Sequence, residues 1–239
     1  MEQQSLYAYL RERPYPGRGI VMGMDAAGEH GVMAYWIMGR SANSRNRVFV
    51  EQEDGGIETR AYDESKLIDP SLIIYAPVRV PSPDTWVVTN GDQTDTICDF
   101  LAAGKSFADA LRTRTFEPDL PNCTPRISGL MSLTGGELQV RLSILKSRDS
   151  MGSAVIRNFF EYAQPTAGEG HLIHTYAAAA DPLPPFVGEP VTVALPDDQD
   201  AFTQKLWDSL DEDNRISLFT CYVSLTDRTA TTRIINKYT

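Results

Sequence analysis

The chain has 239 residues, a formal net charge of −10, an apolar fraction of 42% and a charged fraction of 23%, as expected of a soluble globular protein. Its acidic balance argues against a nucleic-acid partner, and no run approaches the ~18 apolar residues of a membrane span. Cys98, Cys123 and Cys221 are odd in number and scattered, so they read as free thiols in a reducing, cytoplasmic setting, and Met1 to Pro16 lacks the apolar core of a secretory leader.

In chain order, Arg18 to Gly23, Val32 to Met38 and Arg47 to Glu51 read as strands. Between the last two lies Gly39-Arg40-Ser41-Ala42-Asn43-Ser44-Arg45-Asn46-Arg47, expected as a loop. Seventeen of the 22 basic residues are Arg, and this is their densest cluster. Guanidinium forks suit a small anion such as phosphate or carboxylate. A solvated loop paired with surface acids is the alternative, and the cluster alone does not separate the two.

Leu72 to Val80 and Trp86 to Thr89 follow as strands, the second ending at the turn Asn90-Gly91. A helix is predicted over Ile97 to Ala103, with a capping box from Thr96 to Asp99 and a stop at Gly104. Ser106 to Asp109 forms a second capping box, opening a helix to about Arg114. Arg126 to Leu133 and Leu138 to Leu145 flank Gly135-Gly136 as a hairpin. Ala154 to Tyr162, Leu172 to Ala177 and Val191 to Leu195 are further strands, and the proline-rich stretch Pro182 to Pro190 reads as an ordered loop. Asp197 to Leu210 is an amphipathic helix with Phe202, Leu206 and Leu210 on one face. Ile216 to Leu225 and Thr231 to Ile235 close the chain as strands. Helices stand between groups of strands rather than alternating with them, which argues α+β and a single domain over 1–239.

Several motifs fail. Gly17-Arg18-Gly19 with Gly23 misses the dinucleotide fingerprint by one residue and precedes no helix. His171 and His174, at an odd offset in a strand, face opposite ways, so no metal site is expected. There is no Walker loop and no Gly-x-Ser-x-Gly elbow.

Taken together, Arg40 to Arg47, Tyr75-Ala76-Pro77-Val78-Arg79-Val80, Val87 to Ile97 with its Asn-Gly-x-x-Thr-Asp turn, Glu117-Pro118-Asp119, Thr124-Pro125-Arg126-Ile127 and Gly168 to Tyr176 resemble the archaeal-type IMP cyclohydrolase family, over about Gly17 to Pro190. The resemblance implies a four-layer α-β-β-α sandwich like that of the N-terminal-nucleophile hydrolases, used without their nucleophile. It implies closure of the purine ring of 5-formamidoimidazole-4-carboxamide ribotide (FAICAR) to IMP and water, with no cofactor. A homo-oligomer stays compatible with it.

The carried-over roles are Arg40 and Tyr75 at the reacting base and Glu117 as general base or carboxamide-orienting group. Arg45, Arg47, Arg79 and Arg126 are candidates for the 5'-phosphate. Asn43, Asn90, Gly91 and Thr94 are expected at the substrate, the Asn90 turn through its backbone amides. His174 and Tyr176 are expected as pocket walls. Ala177 to Ala180 stands where a polar, glycine-containing turn is expected, and the segment beyond Pro190 falls outside the resemblance. Two other readings stay open: an amide hydrolase that exposes Ser5 by cleavage, and a purine-nucleotide binder without turnover.

Overall fold

The computed structural model describes residues 4–67, 70 and 74–238. The chain is α+β, built on two antiparallel sheets. Its elements are α1 (Leu6–Arg11), β1 (Gly19–Met24), β2 (His30–Met38), α2 (Ala42–Arg45), β3 (Val48–Glu51), β4 (Ile57–Arg60), β5 (Val78–Ser82), β6 (Thr85–Thr89), α3 (Gln93–Ala102), α4 (Phe107–Arg112), β7 (Arg126–Thr134), β8 (Glu137–Ser147), β9 (Val155–Ala163), β10 (Glu169–His174), β11 (Val191–Ala194), α5 (Gln199–Trp207), β12 (Arg215–Ser224) and β13 (Ala230–Asn236). One sheet runs β11-β10-β1-β2-β12-β13 and the other β3-β4-β5-β6-β7-β8-β9.

Strand periodicity sorts the core. In β2, Met33, Tyr35 and Ile37 join an apolar cluster shared with Trp86, Val88, Ile127 and Met131 of the other sheet. Their neighbours Val32, Ala34, Trp36 and Met38 point the opposite way, into a cluster with Leu6 and Leu10 of α1 and Phe202 and Leu206 of α5. β2 is therefore apolar on both faces, because both are covered. Val87, Leu130 and Leu145 on the second sheet pack with Ile97 of α3 and Phe107 and Leu111 of α4. Where the sheets meet at β7, a Cβ on Gly129 would stand 2.7 Å from Met22 Sδ and 3.0 Å from Val88 Cγ1, so a side chain there would force its neighbours to shift.

The hairpin at Gly135-Gly136 forms with both glycines at positive φ, 63° and 85°, as a tight two-residue turn requires. The proline-rich stretch is tied in by the Tyr176–Pro185 bridge and buried Phe186.

Other expectations shift. α3 starts at Gln93, four residues before Ile97, and Thr96 caps nothing: its hydroxyl accepts from Arg114, while Gln93 and Thr94 are buried against β6 and β7. The Arg40–Arg47 segment is not an open loop, because Ser41 and Ser44 close a capping box around the single turn α2. α1 and β4 were not anticipated, being short and weakly patterned. The expected strand Leu72 to Val80 is strand only from Val78, since Tyr75 already bonds Thr59 through its own N–H and C=O; Leu72 and Ile73 lie outside the described residues. β10 ends at His174 rather than Ala177.

Candidate active site

Four segments converge on a polar cavity of about 300 Å³. Arg18 enters just before β1 and Arg40 follows β2. Ser41, Asn43 and Ser44 come from α2 and its cap, and Glu117, Asp119, Asn122 and Thr124 from the connection between α4 and β7. Tyr176 follows β10, with Tyr15 opposite. The approach at Arg18 depends on Gly17, whose φ is +76° and where a Cβ would lie 2.1 Å from Thr175 Oγ1. The 116–125 connection is tied by Glu117 N–H to Thr124 O (2.9 Å) and by Thr124 N–H to the Asp119 carboxylate (2.7 Å), which also accepts from the Thr124 hydroxyl. The Tyr176 hydroxyl meets Thr124 Oγ1 at 2.6 Å, and its ring stacks on Tyr15 at 5.8 Å.

Glu117 is only 3% exposed. Burial pushes its carboxyl up to about 7, against the pull of Arg18, Arg126 and Arg47. Arg18 stands 3.8 Å away. Burial works against the charge of Arg18, but Glu117 and the surrounding phenols outweigh it and hold the guanidinium protonated. Arg47, fully buried, is pushed down by burial and by Arg18. The Tyr176 phenol is pushed up to about 12 by burial, so it stays a hydroxyl near neutrality. A carboxyl poised near 7 can take and return a proton at physiological pH.

Of the sequence-predicted residues, Arg40, Asn43, Glu117 and Tyr176 line this cavity. Arg40 is exposed at the mouth, with its guanidinium over the Tyr15 ring. Arg47 and Tyr75 stand beside the cavity: both act electrostatically with Arg18, and the Tyr75 hydroxyl meets that of Tyr35 at 2.8 Å. Tyr75 also lines a separate cavity of about 740 Å³ with Glu58, Thr59, Arg79 and Asp95.

The remaining residues turn to other tasks. Arg45 braces the turn after β2, donating to Gly39 O (3.0 Å) and Asn214 Oδ1 (3.4 Å). Arg79 pairs with Asp95 at 2.9 Å on the surface, away from the Glu117 cavity. Arg126 donates to Gln93 Oε1 at 2.6 Å and pairs with Asp92 at 2.7 Å. Asn90 donates to Pro125 O and accepts from Ile127 N–H, both at 2.8 Å; its amide reaches Glu117 only at 3.5 Å. The Gly91 amide is used by Thr89 Oγ1, and Thr94 donates its hydroxyl to Gly91 O, so this turn closes on itself instead of presenting amides to a ligand. His174 packs against α1, with Nε2 on the Tyr9 hydroxyl (2.8 Å) and Nδ1 on Tyr176 O (3.0 Å); burial pushes it down to about 4. It holds the backbone of a wall residue rather than lining the cavity. His171 lies on the opposite face, stacked on Tyr162.

Sequence reading missed Arg18, Tyr15, Asp119 and Thr124. For Arg18 a signal existed: an Arg flanked by glycines at a strand start, weighed only as a failed dinucleotide motif.

Among the described residues no three His, Cys, Asp or Glu side chains gather as metal ligands, and no helix is long and apolar enough to cross a membrane.

The family model described as IMP cyclohydrolase-like protein matches residues 15–228. It reaches past Pro190 and so takes in α5 and β12. The chain is 28% identical over 185 residues to an IMP cyclohydrolase of Methanopyrus kandleri, covering 72% of this chain and 89% of that protein.

Proposed function

The chain belongs to the IMP cyclohydrolase-like family, and from that membership we propose that it closes the purine ring of FAICAR to give IMP and water, in the cavity around Glu117. The carboxamide nitrogen attacks the formyl carbon, a C–N bond forms, and the carbonyl pair moves onto the formyl oxygen. One proton leaves the nitrogen as one joins the oxygen. The resulting hydroxyl then departs as water with the proton of the former formamide N–H, leaving the C=N bond of the product. Both reacting groups belong to one molecule, so the protein has to fix a rotamer, move protons and stabilise a developing oxyanion.

The observation that carries this reading is the buried Glu117 carboxyl, held near neutral pH at the base of a polar cavity. We assign it as the group that takes the carboxamide proton. Tyr15 and Tyr176, stacked on one another, form one wall against the ring. Arg40 and Asn43 line the Glu117 cavity and suit the 5'-phosphate better than Arg45, Arg79 or Arg126, which do not line it. Tyr75 serves as a hydroxyl close to Arg18. The partner is thus a small nucleotide, and we place the protein in the cytoplasm.

We also read the fold as one domain in a four-layer α-β-β-α sandwich of the N-terminal-nucleophile hydrolase kind, since a single inter-sheet cluster joins residues from Ile20 to Val223. Ser5 does not favour the amide-hydrolase reading: its hydroxyl caps α1, and it is not among the residues lining the cavity.

The test is an absorbance assay of IMP formation by the purified chain, compared with spontaneous closure and with Glu117→Gln and Tyr75→Phe. Turnover well above background, lost in folded Glu117→Gln, is the expected result. Saturable IMP binding without any acceleration would overturn ring closure and leave a nucleotide-binding protein.

A further inference from the structure

Two buried arginines, Arg18 lining the cavity and Arg47 beside it, keep donors without an acceptor among the described residues. Among the described residues the Arg18 side chain makes no hydrogen bond at all; its Nε is sealed from solvent without an acceptor. Its ion pair with Glu117 is loose. At 3.8 Å it lies beyond hydrogen-bond reach, whereas a structural Arg–carboxylate brace closes to ~2.7–2.9 Å and forks onto both oxygens. Behind it, Arg47 fixes Nε on Ser44 O (2.8 Å) and NH2 on Met38 O (3.4 Å), which leaves NH1 buried with no partner. Among the described residues the Glu117 side chain accepts only the long contact from Asn90. Buried cations with unused donors are costly, and a site that keeps them is complementary to a group absent from the free protein.

Which group that is follows from where Arg18 stands. It shares the cavity with Glu117, the proposed proton acceptor of the carboxamide nitrogen. The nitrogen that loses the proton and the oxygen that gains charge are joined through one carbon. A base at the first atom therefore puts its neighbour at the second.

We propose that Arg18 is a further catalytic residue of this site, donating to the formyl oxygen as the carboxamide nitrogen attacks, with Arg47 behind it as a positioning charge. This rests on the ring-closing reading. It differs from a phosphate grip: a phosphate carries its charge throughout the reaction, so removing its partner weakens ground-state binding, whereas an oxyanion donor acts only as charge develops.

The experiment is steady-state kinetics of Arg18→Ala and Arg18→Lys against wild type, with melting temperatures and pH profiles. In Arg18→Ala the kcat should fall about 10²–10³-fold, as on loss of an oxyanion donor, with KM within about threefold. Added guanidinium should restore part of the rate. The acid limb of kcat/KM should move to higher pH, because the charge that favours the Glu117 carboxylate is gone. Arg18→Lys keeps the charge but not the fork, and serves if the alanine variant does not fold; its acid limb should stay in place while kcat falls about tenfold or more. A raised KM with unchanged kcat, or an unmoved acid limb in folded Arg18→Ala, would overturn the assignment while leaving ring closure standing. A wild-type chain with no turnover would instead overturn ring closure, and this assignment with it.

Discussion

Glu117 stands between two polar clusters built from the same residue types. Behind it, Asn90, Gln93, Thr94, Asp92 and Arg126 join the end of β6, the start of α3 and the start of β7. In that cluster Asn90 bonds backbone on both sides, Gln93 bridges Asn90 and Arg126, and Asp92 takes both Arg126 and Arg114. In front, Arg18 Nε and Arg47 NH1 are buried with no acceptor among the described residues. The first cluster is internally bonded in the free protein, which fits a structural role. The second is incomplete among the described residues, and the proposed oxyanion contact to Arg18 would supply an acceptor there. Hydrogen-bond satisfaction, rather than residue type or charge, separates scaffold from site here.

The comparison breaks most sharply at Glu117→Gln. That change should lower turnover by about 10²–10⁴-fold, the usual worth of a positioned acid–base group, with a melting temperature equal to or above wild type because a buried charge is gone. A variant that kept its rate would move the chemistry elsewhere.

Asn90→Ala should do the converse. It strips partners from Ile127 N–H and Pro125 O, and urea unfolding should show a loss of about 2–4 kcal/mol, with kcat per folded molecule changed less than tenfold. If Asn90→Ala cost rate rather than stability, the rear cluster would belong to the site.

A third expectation concerns pH. The Glu117 carboxyl titrates higher folded, about 7, than its ordinary 4.5. The folded state therefore holds the extra proton between those values. The stabilisation is complete below about 4.5 and is lost as pH rises through 7; it amounts to on the order of 3 kcal/mol. His174, pushed down to about 4, acts oppositely: its contribution is present above about 6.5 and is lost as pH falls through 4. Chemical denaturation across this range should show stability rising more steeply with pH in Glu117→Gln than in wild type. Identical slopes would mean that Glu117 is ionised at its ordinary pH.

The smallest effect is expected at Arg79→Ala. Its ion pair with Asp95 is half exposed, so stability should change by about 0–1 kcal/mol and turnover should stay within about threefold. A large rise in KM would restore Arg79 to the phosphate.

Much of the fold was legible because it rests on local periodicity. The glycine pair between β7 and β8, the Ser106–Asp109 capping box and the Phe202-Leu206 pair on α5 are all short-range patterns. One failure falls where tertiary contacts override such patterns, and another on a local capping box read as loop. α3 begins early because Gln93 and Thr94 are held by β6 and β7, and the Arg segment curls because Ser41 and Ser44 cap each other.

By itself the sequence determined the family likeness, the strand-rich α+β class and Glu117 as the acid–base candidate. The tertiary structure decided which arginines matter. Arg45, Arg126 and Arg18 are chemically identical, and nothing in their spacing tells them apart. Only packing shows that the first two reach acceptors within the protein, while Arg18, admitted by a bare Gly17, arrives 3.8 Å from Glu117 with no hydrogen-bond acceptor among the described residues. Partner satisfaction depends on residues distant in the chain, so it exists only once the chain has folded.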